Sequence, residues 1–190
     1  MNHIKLVLKY LVALVVTPQE RWKMLASDDQ QPESRENHVF SEYYLYLMGF
    51  VGILVFLAVG FYARESMWAA TAMRSVVTFL ASFFLGPYMA QFALSWVIPL
   101  IWGVEHTKER LLVFIYYTMS VQMLAYLLTE IFRASLFNLV YIYLFYIVWC
   151  AALPYLGIPA RRRISFTIVT STVLFLSQWL IATVMGLFGN

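Results

Sequence analysis

Five long stretches of this 190-residue chain contain no Asp, Glu, Lys, Arg or His: residues 43–62, 75–103, 111–129, 134–160 and 164–190. A helix needs about 20 apolar residues to cross the roughly 30 Å of hydrocarbon in a bilayer. One Asp, Lys or Arg at the centre of such a helix costs about 2.5–3.5 kcal/mol on insertion scales. Five charge-free runs therefore predict an all-α integral membrane protein, a five-helix transmembrane bundle with spans at about 43–62, 75–102, 111–129, 135–156 and 165–187. Composition speaks against a soluble alternative. The chain is 62% hydrophobic and 12% charged, with a mean hydropathy of +0.73, whereas a soluble domain is about 25% charged. A soluble fold of this length could not hide so much apolar surface, so lipid must cover it. Residues 1–42 then form an N-terminal region ahead of a 43–190 membrane domain.

Lys and Arg set the expected orientation. The N-terminal segment (Lys5, Lys9, Arg21, Lys23, Arg35), the second loop (Lys108, Arg110) and the fourth loop (Arg161, Arg162, Arg163) would share one face. Arg64, Arg74 and Arg133 would share the other. Ten against three places the N-terminus in the cytoplasm and the C-terminus outside. The net charge of +3 and pI of 9.0 then reflect topology and anionic headgroups. No basic stretch is long enough to line a nucleic-acid groove. The single cysteine, Cys150, lies in an apolar run, where it reads as a small core residue.

Residues 4–16 are apolar apart from Lys5 and Lys9, and too few to span comfortably. They predict a helix lying in the cytoplasmic interface with both lysines on one face. No small-x-small cleavage site follows, so a signal peptide is not expected. Thr17, Pro18 and Glu20 spell a capping box for a short second helix ending near Ser27, with Trp22 at the headgroup level. Residues 28–36 read as a loop. The expected partners are the bilayer and its anionic headgroups, met by Lys5, Lys9, Arg21, Lys23, Arg161, Arg162 and Arg163.

Catalytic signatures do not emerge. The chain has no HExxH, CxxC, GxGxxG or P-loop pattern, and His3, His38 and His106 all fall outside the charge-free runs. No catalytic, metal-binding or cofactor-binding residue is expected, and no cofactor. Gln91, Gln122, Asn138 and Gln178 fall on four different spans. In hydrocarbon each amide needs a partner, either across a helix interface or in a small polar patch that binds a headgroup or substrate. Ser82, Gly86 and Ala90 make a small-residue stripe, as do Ala182 and Gly186. Pro87 and Pro99 should kink the second span, a feature transporters use at binding sites. Phe137, Tyr141, Phe145 and Trp149 form an aromatic ridge suited to core packing, and Glu130 and Arg133 are spaced for a local ion pair.

The order of parts has a likeness. A Pro18-to-Trp22 element precedes the spans, and the second span carries Leu85-Gly86 and Ala90. Gly103-Val104-Glu105 leads into Phe114-Ile115-Tyr116-Tyr117, and Tyr155-Leu156-Gly157-Ile158-Pro159 precedes Arg161 to Arg163. In this the chain resembles the Yip1 family of five-span proteins in its compact bacterial form. The resemblance implies a non-enzymatic protein, here of a bacterial cytoplasmic membrane. Eukaryotic members of that family act in vesicle trafficking and contact Rab GTPases and one another. The Asp-Leu-Tyr-Gly-Pro element of those members is absent here, so Rab binding is not carried over. The first expectation is a membrane scaffold or membrane-organising protein, as a homo-oligomer or with other membrane proteins. The second is a small transporter or lipid-binding carrier, and the third a headgroup-level enzyme using Glu105, His106 and Glu130.

Overall fold

The computed structural model describes residues 2–27, 36–62, 68–132 and 139–188. They form α1 (Asn2–Val16), α2 (Pro18–Ser27), a π-helical turn (Val39–Tyr44) running into α3 (Leu45–Tyr62), α4 (Trp68–Trp102), α5 (Lys108–Phe132), α6 (Leu139–Ala152), a 3-10 turn (Ala160–Arg162) and α7 (Arg163–Phe188). Four helical segments are long and apolar enough to cross a membrane: Glu36–Tyr62, Trp68–Trp102, Lys108–Phe132 and Ala160–Leu187. They are compatible with a multi-pass membrane protein.

The fourth expected span is described only as α6, which has 14 residues. It ends at Ala152 because Pro154 has no N–H for the carbonyl one turn back. The chain then closes through wider bonds, from the Leu156 N–H to the Ala151 carbonyl (3.3 Å) and from the Ile158 N–H to the Ala152 carbonyl (2.8 Å). Gly157 takes φ +63° there, which glycine adopts without steric cost.

The centre of the bundle is α5. Every residue from Val113 to Met123 is buried, because α1, α3, α4 and α6 pack around this helix. α4 also lies along α3 and α7, and α6 along α7. Within α4, Pro87 supplies no N–H, so the Phe83 carbonyl one turn earlier loses its ladder donor. The buried Tyr44 hydroxyl donates to that carbonyl at 2.7 Å. Tyr44→Phe should therefore cost about 1–3 kcal/mol, the penalty of a buried acceptor left unpaired. Melting in detergent checks this, and an unchanged midpoint would show that another donor serves Phe83.

Helix C-termini leave carbonyls without intrahelical donors, and in hydrocarbon each such group costs several kcal/mol. Here side chains from other segments supply the donors. Tyr143 donates to the Val15 carbonyl (2.6 Å) and Tyr62 to that of Ile131 (2.8 Å). Arg162 reaches Ile101 (3.3 Å), Arg163 reaches Trp149 (2.8 Å) and Arg74 reaches Gly186 (3.2 Å). Arg110 donates to the Tyr155 carbonyl and lies over the Tyr155 ring, 5.1 Å from its centre.

Candidate functional site

Two places gather polar groups among buried aromatic rings. The first is the segment Phe114-Ile115-Tyr116-Tyr117 of α5, which receives α2 and the π-helical turn. Trp22 is fully buried, with its ring centre 5.7 Å from Phe114, 6.1 Å from Tyr117 and 5.2 Å from Tyr155. Beside it the Arg21 guanidinium lies 4.4 Å over the Tyr10 ring and 5.7 Å over Tyr117, and donates to the Tyr117 hydroxyl at 3.3 Å. Tyr43 packs on Tyr117 (5.0 Å) and Tyr44 on Tyr116 (4.8 Å). The Tyr43 hydroxyl donates to Ser120 Oγ (2.7 Å), which donates to the Tyr117 carbonyl (2.6 Å). Tyr116 donates to the Glu36 carboxylate at 3.3 Å. A π turn has more residues per turn than an α-helix, so consecutive side chains are rotated less. That lets the adjacent Tyr43 and Tyr44 both face α5.

This arrangement corrects the reading of the N-terminal segment. Trp22 is buried in the aromatic core rather than exposed to headgroups, because the rings of Phe114 on α5 and of Tyr155 in the turn after α6 pack against it. The expected capping box is replaced by a local bond: the Thr17 hydroxyl donates back to the Ala13 carbonyl at 3.1 Å, and α2 continues after this single non-helical residue. Among the cations assigned to headgroups, Lys9, Lys23 and Arg161 are exposed, and Lys5 lies in α1. Arg162 is exposed as well and, like Arg21 and Arg163, also bonds to the protein, as described above. The reason is that a cation near a helix end finds a carbonyl or a ring face as readily as a phosphate.

The second place is a cavity of about 350 Å³ between α4, α5, α6 and α7, walled by Phe79, Phe83, Tyr126, Tyr141 and Phe175. Ser82 and Gln178 share that wall. Ser82 is buried, and neither its Oγ nor Gln178 Nε2 has a partner. One turn from Ser82, Gly86 is packed so closely that an added Cβ would lie 3.4 Å from Gln178 Cγ and 3.6 Å from Met119 Cε. Ala90 is buried on the same face of α4. Gln122 is buried one turn before Tyr126, with both amide atoms unpartnered. Gln91 is half-buried and not on the cavity wall. Asn138, with Arg133 and Phe137, lies outside the described residues. Ala182 lines the cavity, but a Cβ on Gly186 would meet nothing within 4 Å, so the second small-residue pair is no close contact. In the aromatic ridge, Tyr141 and Phe145 pack on Phe175, and Trp149 lies under Arg163.

Glu105 is exposed and His106 half-buried in the loop before α5, while Glu130 is near the other end of that helix. At 1.5 Å rise per residue this separates them by about 30 Å, so the three do not form one site. Burial, and then the nearby Arg110, hold the His106 imidazole below its ordinary pKa. Among the described residues no group of three or more His, Cys, Asp or Glu could hold a metal ion. Compared with known proteins, the chain matches no family model, no curated protein and no solved structure.

The sequence reading passed over the Arg21 cage, the π turn and the cavity. One signal for the first two was present: a Tyr-Tyr pair at 43–44 and another at 116–117. Two adjacent rings on each of two helices can meet across one interface when one helix is locally widened.

Proposed function

We propose that this is a non-enzymatic integral membrane protein of five spans, with a cytoplasmic N-terminus, acting as a membrane scaffold or membrane-organising protein of the Yip1 type that its sequence resembles. The observation that supports this reading is the clasp of α1 and α2 onto α5 through Arg21 and Trp22. It makes one end of the bundle a fixed helical platform, with Lys9, Lys23 and Arg161 exposed. A platform of this kind suits anionic headgroups, at about 1 kcal/mol for each basic residue near the surface, and a partner membrane protein or second copy. In this reading α6 is the middle part of the remaining span, at about 135–156.

Two measurements test the proposal. Reporter fusions near residue 30 and after residue 190 should report opposite sides of the membrane; same-side reports would exclude five spans. Photo-crosslinkers placed at the exposed Lys23 and Trp96 in native membranes should give discrete protein adducts. Adducts with lipid alone at both positions would defeat the scaffold reading. The second reading, a small lipid-binding carrier, has the cavity beside Ser82 and Gln178 in its favour, and would show as ligand flux across reconstituted vesicles.

A further inference from the structure

A buried polar atom without a partner costs about 1–3 kcal/mol, and two residues that carry such atoms, Ser82 and Gln178, line one cavity. We infer that the cavity between α4, α5, α6 and α7 is a binding site for a neutral, membrane-dissolved molecule with an apolar body and a carbonyl acceptor. This goes beyond the scaffold reading and does not rest on it.

Four features define the ligand. The cavity of about 350 Å³ falls within the range of roughly 300–1,000 Å³ typical of small-molecule sites. Its lining of Phe, Tyr and Trp rings fits an apolar chain or a flat ring. Among the described residues the wall carries no Asp, Glu, Lys, Arg or His, and desolvating a charged ligand there would be costly; Glu130, which bonds to the wall residue Tyr126, would add repulsion for an anion. The polar side chains on the wall are Thr78, Ser82, Tyr126, Tyr141, Gln178 and Trp179, and among their atoms Ser82 Oγ and Gln178 Nε2 are buried without a partner. Hydroxyls, an amide NH₂ and an indole N–H can all donate, so a ligand acceptor finds partners on this wall. The closeness of Gly86 to Gln178 holds the Ser82 and Gln178 donors at neighbouring heights on α4 and α7. Trp179 also lines the cavity and is 64% exposed, so the cavity reaches the outer surface of the bundle. A molecule dissolved in lipid would enter from there. The carbonyl could belong to the ester of an acyl lipid or to a quinone-like ring.

The test uses the full-length protein in detergent and a diazirine-labelled palmitoyl ester, with labelled peptides mapped by mass. Label should appear around residues 175–182. Methyl palmitate, a decyl-substituted benzoquinone, or both should compete, and hexadecane, which lacks a carbonyl, should not. Competition by the ester alone identifies an acyl-lipid site, and by the quinone alone a ring site. Gln178→Leu should weaken the competing probe about tenfold, the worth of one hydrogen bond. Ser82→Ala should weaken it several-fold, and Ala182→Phe, which fills the cavity, should abolish labelling. Ser82→Ala removes one hydroxyl only and keeps the test decisive if the larger change does not fold. Absence of label in this region, equal competition by hexadecane, or unchanged affinity in both Gln178→Leu and Ser82→Ala would overturn the inference.

Discussion

Trp22→Ala should release the N-terminal helices from the bundle. Truncating a fully buried aromatic residue costs about 3–5 kcal/mol, and Trp22 loses contact with Phe114, Tyr117 and Tyr155 together. Because α2 is held mainly by α6 and α1, the loss should appear as local opening rather than global unfolding. The open population should rise roughly a hundredfold to a few thousandfold. Trypsin cleavage after Lys23 in the intact protein measures it. Trp22→Phe should cost much less, since it keeps a ring and removes an indole N–H that has no partner. In a variant whose sole tryptophan is Trp22, lipid-borne quenchers should leave its fluorescence unchanged. Strong quenching, or equal cleavage of wild type and Trp22→Ala, would mean that this ring does not hold α2 in place.

Gly86→Leu should separate three helices. An added Cβ already meets Gln178 of α7 at 3.4 Å and Met119 of α5 at 3.6 Å. Three further carbons have no room, and overpacking of this kind costs about 1–3 kcal/mol, occasionally more. Melting in detergent should drop by several degrees. Gly86→Ala makes the contrast: its Cβ reaches only ordinary contact distance, and alanine gains about 1 kcal/mol of helix propensity over glycine. A near-wild-type midpoint for Gly86→Ala with a sharp loss for Gly86→Leu is the expected pair. If leucine is tolerated as well, the close approach of α4 and α7 at this turn is wrong.

The two predictions differ in how far the sequence alone could lead to them. Ser82, Gly86 and Ala90 share a helical face by spacing, and the structure buries all three. The same spacing joins Ala182 and Gly186, yet Gly186 meets nothing. Spacing specifies a face; it does not specify a neighbour. Trp22 shows the gap more sharply. An amphipathic ring between Arg21 and Lys23 has the same local sequence whether it sits among headgroups or against Phe114, which is 92 positions later.

Local chemistry decided the helices. Placing a charge in hydrocarbon costs nearly the same whatever the fold, so charge-free runs mark α3, α4, α5 and α7 to within several residues at each end. Breakers are local too, and Pro154 and Gly157 end α6 and turn the chain by their own covalent geometry. Partners were decided only by the tertiary structure. Tyr44 meets the carbonyl that Pro87 leaves free, Arg162 and Arg163 cap α4 and α6, and Ser82 and Gln178 come to one cavity wall. Each of these depends on which helix lies beside which. In a chain apolar on nearly every face, hydrophobicity cannot rank those pairings, because lipid and a neighbouring helix are equally apolar. Shape and a few hydrogen bonds rank them instead, and both exist only once the helices are packed.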